Sequence, residues 1–146
     1  MFKFKLQSVL EYRRNVEERV QGEFSEFKRY LEEQKAILSA LVKERKAFME
    51  DLRSMQRGSI RADDIAALVA YVEVIREKET AQMEVIRKAQ DDLEKKRLEL
   101  IDAVKNRKVM ESLREKHEEE YRKHLRETEQ KHSDEMAVLK FGRRLK

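Results

Sequence analysis

Apolar residues recur every seven positions along the first half of the chain. Six of the eight members of this series are apolar: Leu6, Arg13, Val20, Phe27, Gln34, Leu41, Phe48 and Met55. A companion series begins at Val9 and drifts by one residue between Ile37 and Leu38, as a nearly straight helix does against a strict repeat of seven. The companion members are Val9, Val16, Tyr30, Ile37, Leu38 and Leu52. The pattern predicts a first long helix over residues 1–57 with a narrow apolar seam.

The second half carries an equivalent repeat, which predicts a second helix over residues 64–141. Its members are Ile65, Val72, Glu79, Ile86, Leu93 and Leu100, with Leu68, Ile75, Ala89 and Ala103 beside them. Gly58 lies between the two patterns, and the chain has no proline to interrupt either one. We therefore expect a turn over residues 58–63, with Gly58 as a left-handed cap of the first helix and Ser59 or Asp63 as the cap of the second.

Together these patterns predict an all-α fold, a long antiparallel two-helix coiled-coil hairpin with its tip near residues 56–63. The chain would form a single coiled-coil domain over residues 1–146. A turn near residue 60 brings Phe48 beside Val72 and Phe27 beside Leu93. In this register Phe2 reaches about residue 118, so the rest of the second helix has no partner within the chain. We expect a C-terminal helical overhang that ends in a basic tail at residues 142–146.

One segment near the predicted tip is apolar on all sides of its helix. Almost every residue from Ala66 to Ile75 is apolar, which is more than one partner helix can cover. The segment expected to face it is also broadly apolar: Leu38, Leu41, Val42, Phe48 and Met49. Two interpretations stay open. Either the tip is bent and packs on a short extra helix or on itself, or it exposes a patch that docks on another protein, with Tyr71 and Phe48 as anchors.

Basic residues lie on or beside the seam near the termini. In the predicted register two of them face the other two: Arg13, Arg14, Arg107 and Lys108. Like charges across a seam are unfavourable unless acids or a partner neutralise them, and Glu17 and Glu111 lie four residues on from two of the arginines. These side chains therefore either form locally satisfied ion pairs or make a basic collar that contacts an acidic partner.

Composition excludes several classes of function. Charged residues make up 44% of the chain with a net charge of +4, but the two signs are interleaved and do not concentrate a field for phosphates, so no nucleic-acid partner is expected.

The three histidines, His117, His124 and His132, lie about two helical turns apart, too far for one zinc ion. We find no catalytic constellation and no cofactor motif. No signal peptide or membrane-spanning stretch is evident, which favours a soluble cytoplasmic protein without membrane insertion.

Both ends of the chain resemble FliJ proteins, the small coiled-coil components of the bacterial flagellar export apparatus. The resemblance rests on MFKFKLQSVLEYRRNVEE at residues 1–18, NRKVMESLREKHEEEYRKH at residues 106–124 and KHSDEMA at residues 131–137. It covers the whole length, including the glycine at mid-chain. The aromatic and basic start, combined with the run from Arg107 to Leu113, is more than a heptad repeat requires.

The resemblance implies a non-enzymatic stalk similar to the gamma subunit of rotary ATPases. Its terminal end would enter the hexameric flagellar export ATPase, and the protein would also contact the export gate protein in the membrane and export chaperones. The location implied is cytoplasmic, peripherally associated with the inner membrane export apparatus. The resemblance assigns ATPase contact to the terminal end: Phe4, Arg13, Arg14, Arg107 and Lys108. Position and apolarity then assign the gate contact: Leu41, Phe48, Tyr71 and Ile75.

Two alternatives from outside flagellar export fit the same pattern. A stalk of a virulence-type secretion injectisome would differ only in its ends, and a generic coiled-coil tether would lack an ATPase partner. A basic-zipper DNA-binding protein would need a clustered basic region, which the sequence lacks.

Overall fold

The structure, a computed structural model, describes residues 1–58 and 61–145, and two helices contain almost all of them. Helix α1 is Gln7–Gln56 and helix α2 is Ala62–Leu145. The described residues contain no strand. The all-α antiparallel hairpin that the heptads predict is thereby confirmed. Residues 59 and 60, where the centre of the predicted turn and the proposed cap Ser59 fall, lie outside the described residues.

The helix ends next to the turn differ from the predicted caps. Gly58 does not adopt the left-handed conformation, because no described glycine has a positive φ. Instead the amides of Arg57 and Gly58 donate to the carbonyls three residues earlier, at 3.3 and 3.1 Å, which tightens the last turn of α1. At the start of α2, the Arg61 carbonyl accepts from Asp64 and Ile65. Asp63 therefore lies inside the first turn, where its charge suits the helix dipole.

Contacts within the chain divide it into two units, and the single coiled-coil domain over residues 1–146 stays a prediction. The terminal unit comprises Met1–Arg19 and Ile101–Lys146, and the central unit comprises Val20–Leu100. In the central unit a buried cluster of Leu31, Ile86 and Ala89 joins the helices, with Leu38 and Leu93 packed against it. In the terminal unit the buried apolar residues are Phe4, Leu10 and Ala103.

The apolar seam of α2 follows the predicted series. The companion series of α1 follows the prediction at Leu38 and Leu52 but lies one residue later than predicted before them. Val9, Tyr30 and Ile37 are 36–46% exposed, while Leu10 and Leu31 are almost fully buried. The true companion positions keep a strict spacing of seven, and all are buried or half-buried: Leu10, Glu17, Phe24, Leu31, Leu38, Arg45 and Leu52. The seam therefore does not drift. Two of its positions carry charged residues, which is why the more apolar neighbours suggested the wrong series.

The C-terminal part of α2 is an overhang. Tyr121 is the last half-buried residue, and every residue from 122 to 144 is exposed. The helix continues to Leu145, so residues 142–145 extend it and do not form a separate tail. Lys146 lies outside the described residues.

Candidate functional site

Two acidic side chains, Glu17 and Glu111, partly neutralise the predicted basic collar. Arg107 donates from Nε to Glu17 on the facing helix and from Nη1 to Glu111 Oε2 at 2.7 Å. Arg14 reaches the other oxygen of Glu111, with 3.5 Å between Nη2 and Oε1. The hydrogen bond with Glu17 is the main cause of the raised pKa of Arg107, and the charge of Glu111 adds to it. Arg107 is thus committed to holding the two helices together.

The remaining collar cations are more available to a partner. Lys108 is exposed and has no ion pair within the described part of the chain. The Arg14 side chain is 50% exposed despite its contact with Glu111. The Arg13 guanidinium lies 5.8 Å from the centre of the Tyr12 ring, and that tyrosine is itself 60% exposed. The collar therefore has one arginine paired across the helices, a half-buried Arg13 on the seam, and two exposed cations, Arg14 and Lys108.

Aromatic residues join the first residues of the chain to α2. The Phe4 ring meets His117 edge-on at 5.6 Å, and the Phe2 ring lies 5.7 Å from that of Tyr121. The N-terminal ammonium also donates to the Tyr121 hydroxyl at 3.0 Å. Phe4 is only 8% exposed. We call these four rings the terminal aromatic cluster, which sequence reasoning missed although the predicted register already placed Phe2 near residue 118.

The predicted gate-contact residues fall into two groups by exposure. Ile75 is 1% exposed, so its side chain belongs to the seam and is not accessible to a partner. Leu41 and Phe48 are half-buried, and Tyr71 remains 41% exposed. The Phe48 and Tyr71 rings are 4.6 Å apart, so these two anchors do lie together.

Tyr71 is fixed at both ends of its side chain. Its ring packs on Phe48, and its hydroxyl donates to Glu44 Oε1 at 2.8 Å. This hydrogen bond, together with the negative charge of Glu44, raises the pKa of the Tyr71 phenol. Val74, three positions after Tyr71, lies on the same side of α2 and is 45% exposed, whereas Val69, two positions before Tyr71, lies on a different side. We define the tip patch as Phe48, Tyr71 and Val74.

Nothing within the described residues covers the tip patch. The two helices are the only elements there, so the short extra helix of the first interpretation is absent from this part of the chain. At the seam between α1 and α2, polar side chains of the two helices pair with each other. Glu79, only 7% exposed, accepts from Arg45 Nε at 2.8 Å, and Gln82 donates to the side chain and the carbonyl of Gln34. The patch thus keeps its apolar groups at the surface.

No chemistry of metals or membranes emerges from the described residues. They contain no group of three or more histidine or acidic side chains placed to hold a metal ion. None of the helices in residues 1–58 and 61–145 is long and apolar enough to cross a bilayer.

Comparison with known proteins decides the family. The model of the family described as flagellar FliJ protein matches residues 2–146. The chain belongs to the FliJ family. This confirms the resemblance noted at the two ends. The proteins of this family are non-catalytic components of type III export. As a family member, this protein is related to type III export.

We also compared the chain with curated protein sequences and with solved structures, and the second comparison supports the fold. No curated protein gives a significant match in sequence. Among solved structures, a protein of Chlamydia trachomatis described as a YscO homologue is similar, with a TM-score of 0.60 and 24% identity. The match covers 95% of this chain and 94% of that one. At this identity the likeness supports the hairpin architecture of the FliJ family member.

Proposed function

We propose that this FliJ family member is a non-enzymatic central stalk of the hexameric flagellar export ATPase. The observation that carries the proposal is the group of outward-facing collar cations in the terminal unit, in a chain whose family serves export. Cations that no internal acid fully neutralises suit an acidic surface lining a ring. A chain of this kind offers different faces to the identical subunits of a ring.

The geometry narrows which collar residues would touch the ATPase. Arg13, Arg14 and Lys108 are the proposed contacts. The Arg14 and Lys108 side chains are exposed, and Arg13, although half-buried, makes no ion pair within the described residues. Phe4 and Arg107 are proposed to act indirectly, since their side chains are packed or paired against the facing helix. They would hold the collar in place for the three contact residues.

The tip patch is the proposed contact with the export gate protein. Its support is the packed pair of aromatic rings, of which Tyr71 is 41% exposed, with the exposed Val74 on the same side of α2. Aromatic residues are common in the energetic centres of protein interfaces. Leu41 and Ile75 would support this surface from the seam. The same assignment places the protein in the cytoplasm, peripherally at the inner membrane export apparatus, where it would also meet export chaperones.

ATP turnover by the purified flagellar ATPase tests the stalk. The wild-type protein should stimulate turnover, and Arg14→Glu with Lys108→Glu should reduce both association and stimulation. The matched control is Arg53→Glu with Arg57→Glu, which reverses two exposed cations at the other end of α1. Circular dichroism verifies that each variant keeps its helices. Absence of stimulation by the wild type would remove the stalk role, whereas equal stimulation by the collar variant would remove only the contact site.

Binding to the cytoplasmic part of the gate protein tests the tip patch. Phe48→Ala with Tyr71→Ala should weaken gate binding and leave ATPase stimulation intact. Because loss of the two rings could disturb the helix pair, a second variant is needed. Val74→Ser changes only a side chain that is nearly half exposed. Gate binding that survives both changes contradicts the assignment.

The injectisome stalk is a second candidate, which the structural likeness to the chlamydial YscO homologue favours. A flagellar and an injectisome ATPase assayed side by side separate the two. Preferential stimulation of the flagellar enzyme is expected. A generic tether would stimulate neither.

A further inference from the structure

The central unit has two different sides, one on each flank of the seam between α1 and α2. On the first side Tyr71 donates to Glu44 at 2.8 Å, and these two residues directly precede the seam residues Val72 and Arg45. In an antiparallel helix pair, the residues four positions after such seam residues flank the seam on the opposite side. The second side of α1 therefore holds one row of residues at a spacing of seven: Lys28, Lys35, Val42 and Met49.

An apolar residue of α2, Met83, lies at the same level as Val42 on this second side. Val42 lies three residues before Arg45 and Met83 lies four residues after Glu79, so both lie about one turn from the Arg45–Glu79 ion pair in the same direction. Arg45 also donates from Nη1 to the Met49 sulfur at 3.5 Å, which holds Met49 beside this ion pair. Val42 and Met49 are half-buried, and Met83 is 53% exposed. The groove on this side thus has an apolar floor that the hairpin leaves partly uncovered.

Three lysines of α1 border this groove. Lys28 and Lys35 belong to the same row as Val42, and Lys46 lies about one turn after Val42. All three lysines are exposed and make no ion pair within the described residues. Glu32 is the one acid on this side of α1 between residues 23 and 49. Over the same range the opposite side of α1 has no cation and four acids: Glu23, Glu26, Glu33 and Glu44.

The facing arginines of α2 add little net charge to the groove. Arg76 and Arg97 flank the same side of the seam, but they pair with Glu73 and Glu94 of their own helix. The unpaired lysines of α1 therefore set the sign of the charge. We call the following residues the basic groove: Lys28, Lys35, Val42, Lys46, Met49 and Met83.

Charge and shape decide which occupant the basic groove fits. A flat bilayer does not reach the half-buried Val42 and Met49, which lie in the recess between two helices. A second copy that presented its own basic groove would bring lysines against lysines. A second copy that presented its acidic side would leave two unlike sides free, so the contact would continue from copy to copy without closing. A helix of an acidic partner fills the recess and completes the assembly.

We propose that the basic groove binds an acidic amphipathic helix of a partner protein. The apolar stripe of that helix packs on Val42, Met49 and Met83, and its carboxylates lie beside the three lysines. From Lys28 to Met49 the groove is about 32 Å long, which matches a helix of about 21 residues. This interaction goes beyond the proposed stalk, because none of the groove residues belongs to the collar or to the tip patch.

Binding of labelled synthetic peptides to the full-length protein tests the groove. The first peptide is a helix of about 21 residues with leucines along one face and glutamates along both edges of that face. The second peptide has glutamines in place of the glutamates. Fluorescence anisotropy should show about tenfold tighter binding of the glutamate peptide, and high salt should reduce this preference. Lys28→Gln with Lys35→Gln and Lys46→Gln should abolish the preference. Met83→Gln should weaken binding of both peptides by about tenfold.

Matched controls lie outside the groove. Lys43→Gln, Lys78→Gln and Lys88→Gln together remove three other exposed cations of the central unit. Leu98→Gln changes a side chain of α2 that is 55% exposed, as against 53% for Met83, and lies on the outer face of the helix. Both controls should bind the two peptides like the wild type, and circular dichroism verifies the helices of every variant.

Three outcomes would overturn the proposal. The first is a wild type that does not bind the glutamate peptide or that binds both peptides equally. The second is an equal loss of binding in the groove variants and in their controls. The third is self-association of the wild type in sedimentation velocity without peptide that the lysine variant abolishes, because the occupant is then a second copy.

Discussion

The collar and the tip patch differ in how much of their chemistry the hairpin itself uses. At the collar, Arg107 is bound by Glu17 and Glu111, so one of the four cations predicted to meet a partner serves the fold. At the tip patch, the rings of Phe48 and Tyr71 pack on each other while Tyr71 and Val74 keep a large exposed fraction. Arg107 thus finds partners within the hairpin, whereas Lys108 finds none within the described residues. The apolar side chains beyond the seam also stay exposed, and this exposure makes them candidates for binding.

The largest expected effect is on the free energy of unfolding, and it distinguishes a seam residue from a surface residue in the tip region. Ile75→Ala removes a fully buried side chain and should lower the free energy of unfolding by about 2–5 kcal/mol. Val74→Ala, one residue away and 45% exposed, should change it by less than about 0.5 kcal/mol. Urea unfolding followed by circular dichroism measures both. Similar losses for the two variants would mean that Val74 is also core, and the tip patch would shrink accordingly.

A second, smaller contrast compares the paired Arg107 of the collar with Lys108, which is unpaired within the described residues. Arg107→Glu replaces a cation that two acids hold with a third acid, so its unfolding midpoint should fall further than that of Lys108→Glu. Adding Glu17→Arg to Arg107→Glu restores an opposite-charge pair across the seam and should recover part of the loss. The measurement is thermal unfolding at low salt. No recovery in the double variant would indicate that the ion pair does not stabilise the helix pair.

The smallest effect concerns the ionisation of Tyr71. Its pKa is raised because its hydroxyl donates to Glu44. Between the ordinary tyrosine value of about 10 and this raised value, the folded chain binds more protons than the unfolded chain. The free energy of unfolding should therefore fall as pH rises through that window. In an alkaline ultraviolet titration Glu44→Gln should bring the ionisation of Tyr71 down toward that of an ordinary tyrosine, and Tyr71→Phe should abolish this ionisation step. A Tyr71 signal that Glu44→Gln leaves unmoved would contradict the hydrogen bond.

Much of the fold could be predicted because most seam positions of α2 hold apolar residues. Ile65, Val72 and Ile86 repeat at sevens with apolar companions, and Glu79 was the only charged member of the predicted series. The companion series of α1 could not be predicted from one helix alone. Glu17 and Arg45 occupy seam positions only because Arg107 and Glu79 face them, and that pairing depends on both helices at once.

The candidate surfaces were predicted less completely than the fold. Sequence placed Arg107 and Ile75 near the right regions but could not show that both face inward, because heptad position does not give exposure. The terminal aromatic cluster was within reach, since the predicted register already aligned Phe2 with the stretch before Tyr121.

The polar contacts at the seam of the central unit have a mechanical consequence. Moving one helix by a single heptad would place Arg45 against Val72 or Ile86, both less than 10% exposed, and would leave Glu79 without its partner. Leaving the nearly buried Glu79 carboxylate without a cation is unfavourable, because the charge has lost its water without gaining a partner. A purely leucine seam would allow such sliding at much lower cost. Within Val20–Leu100 the two helices are therefore locked against axial slippage, so a push on one of them is passed to the other without a change of register.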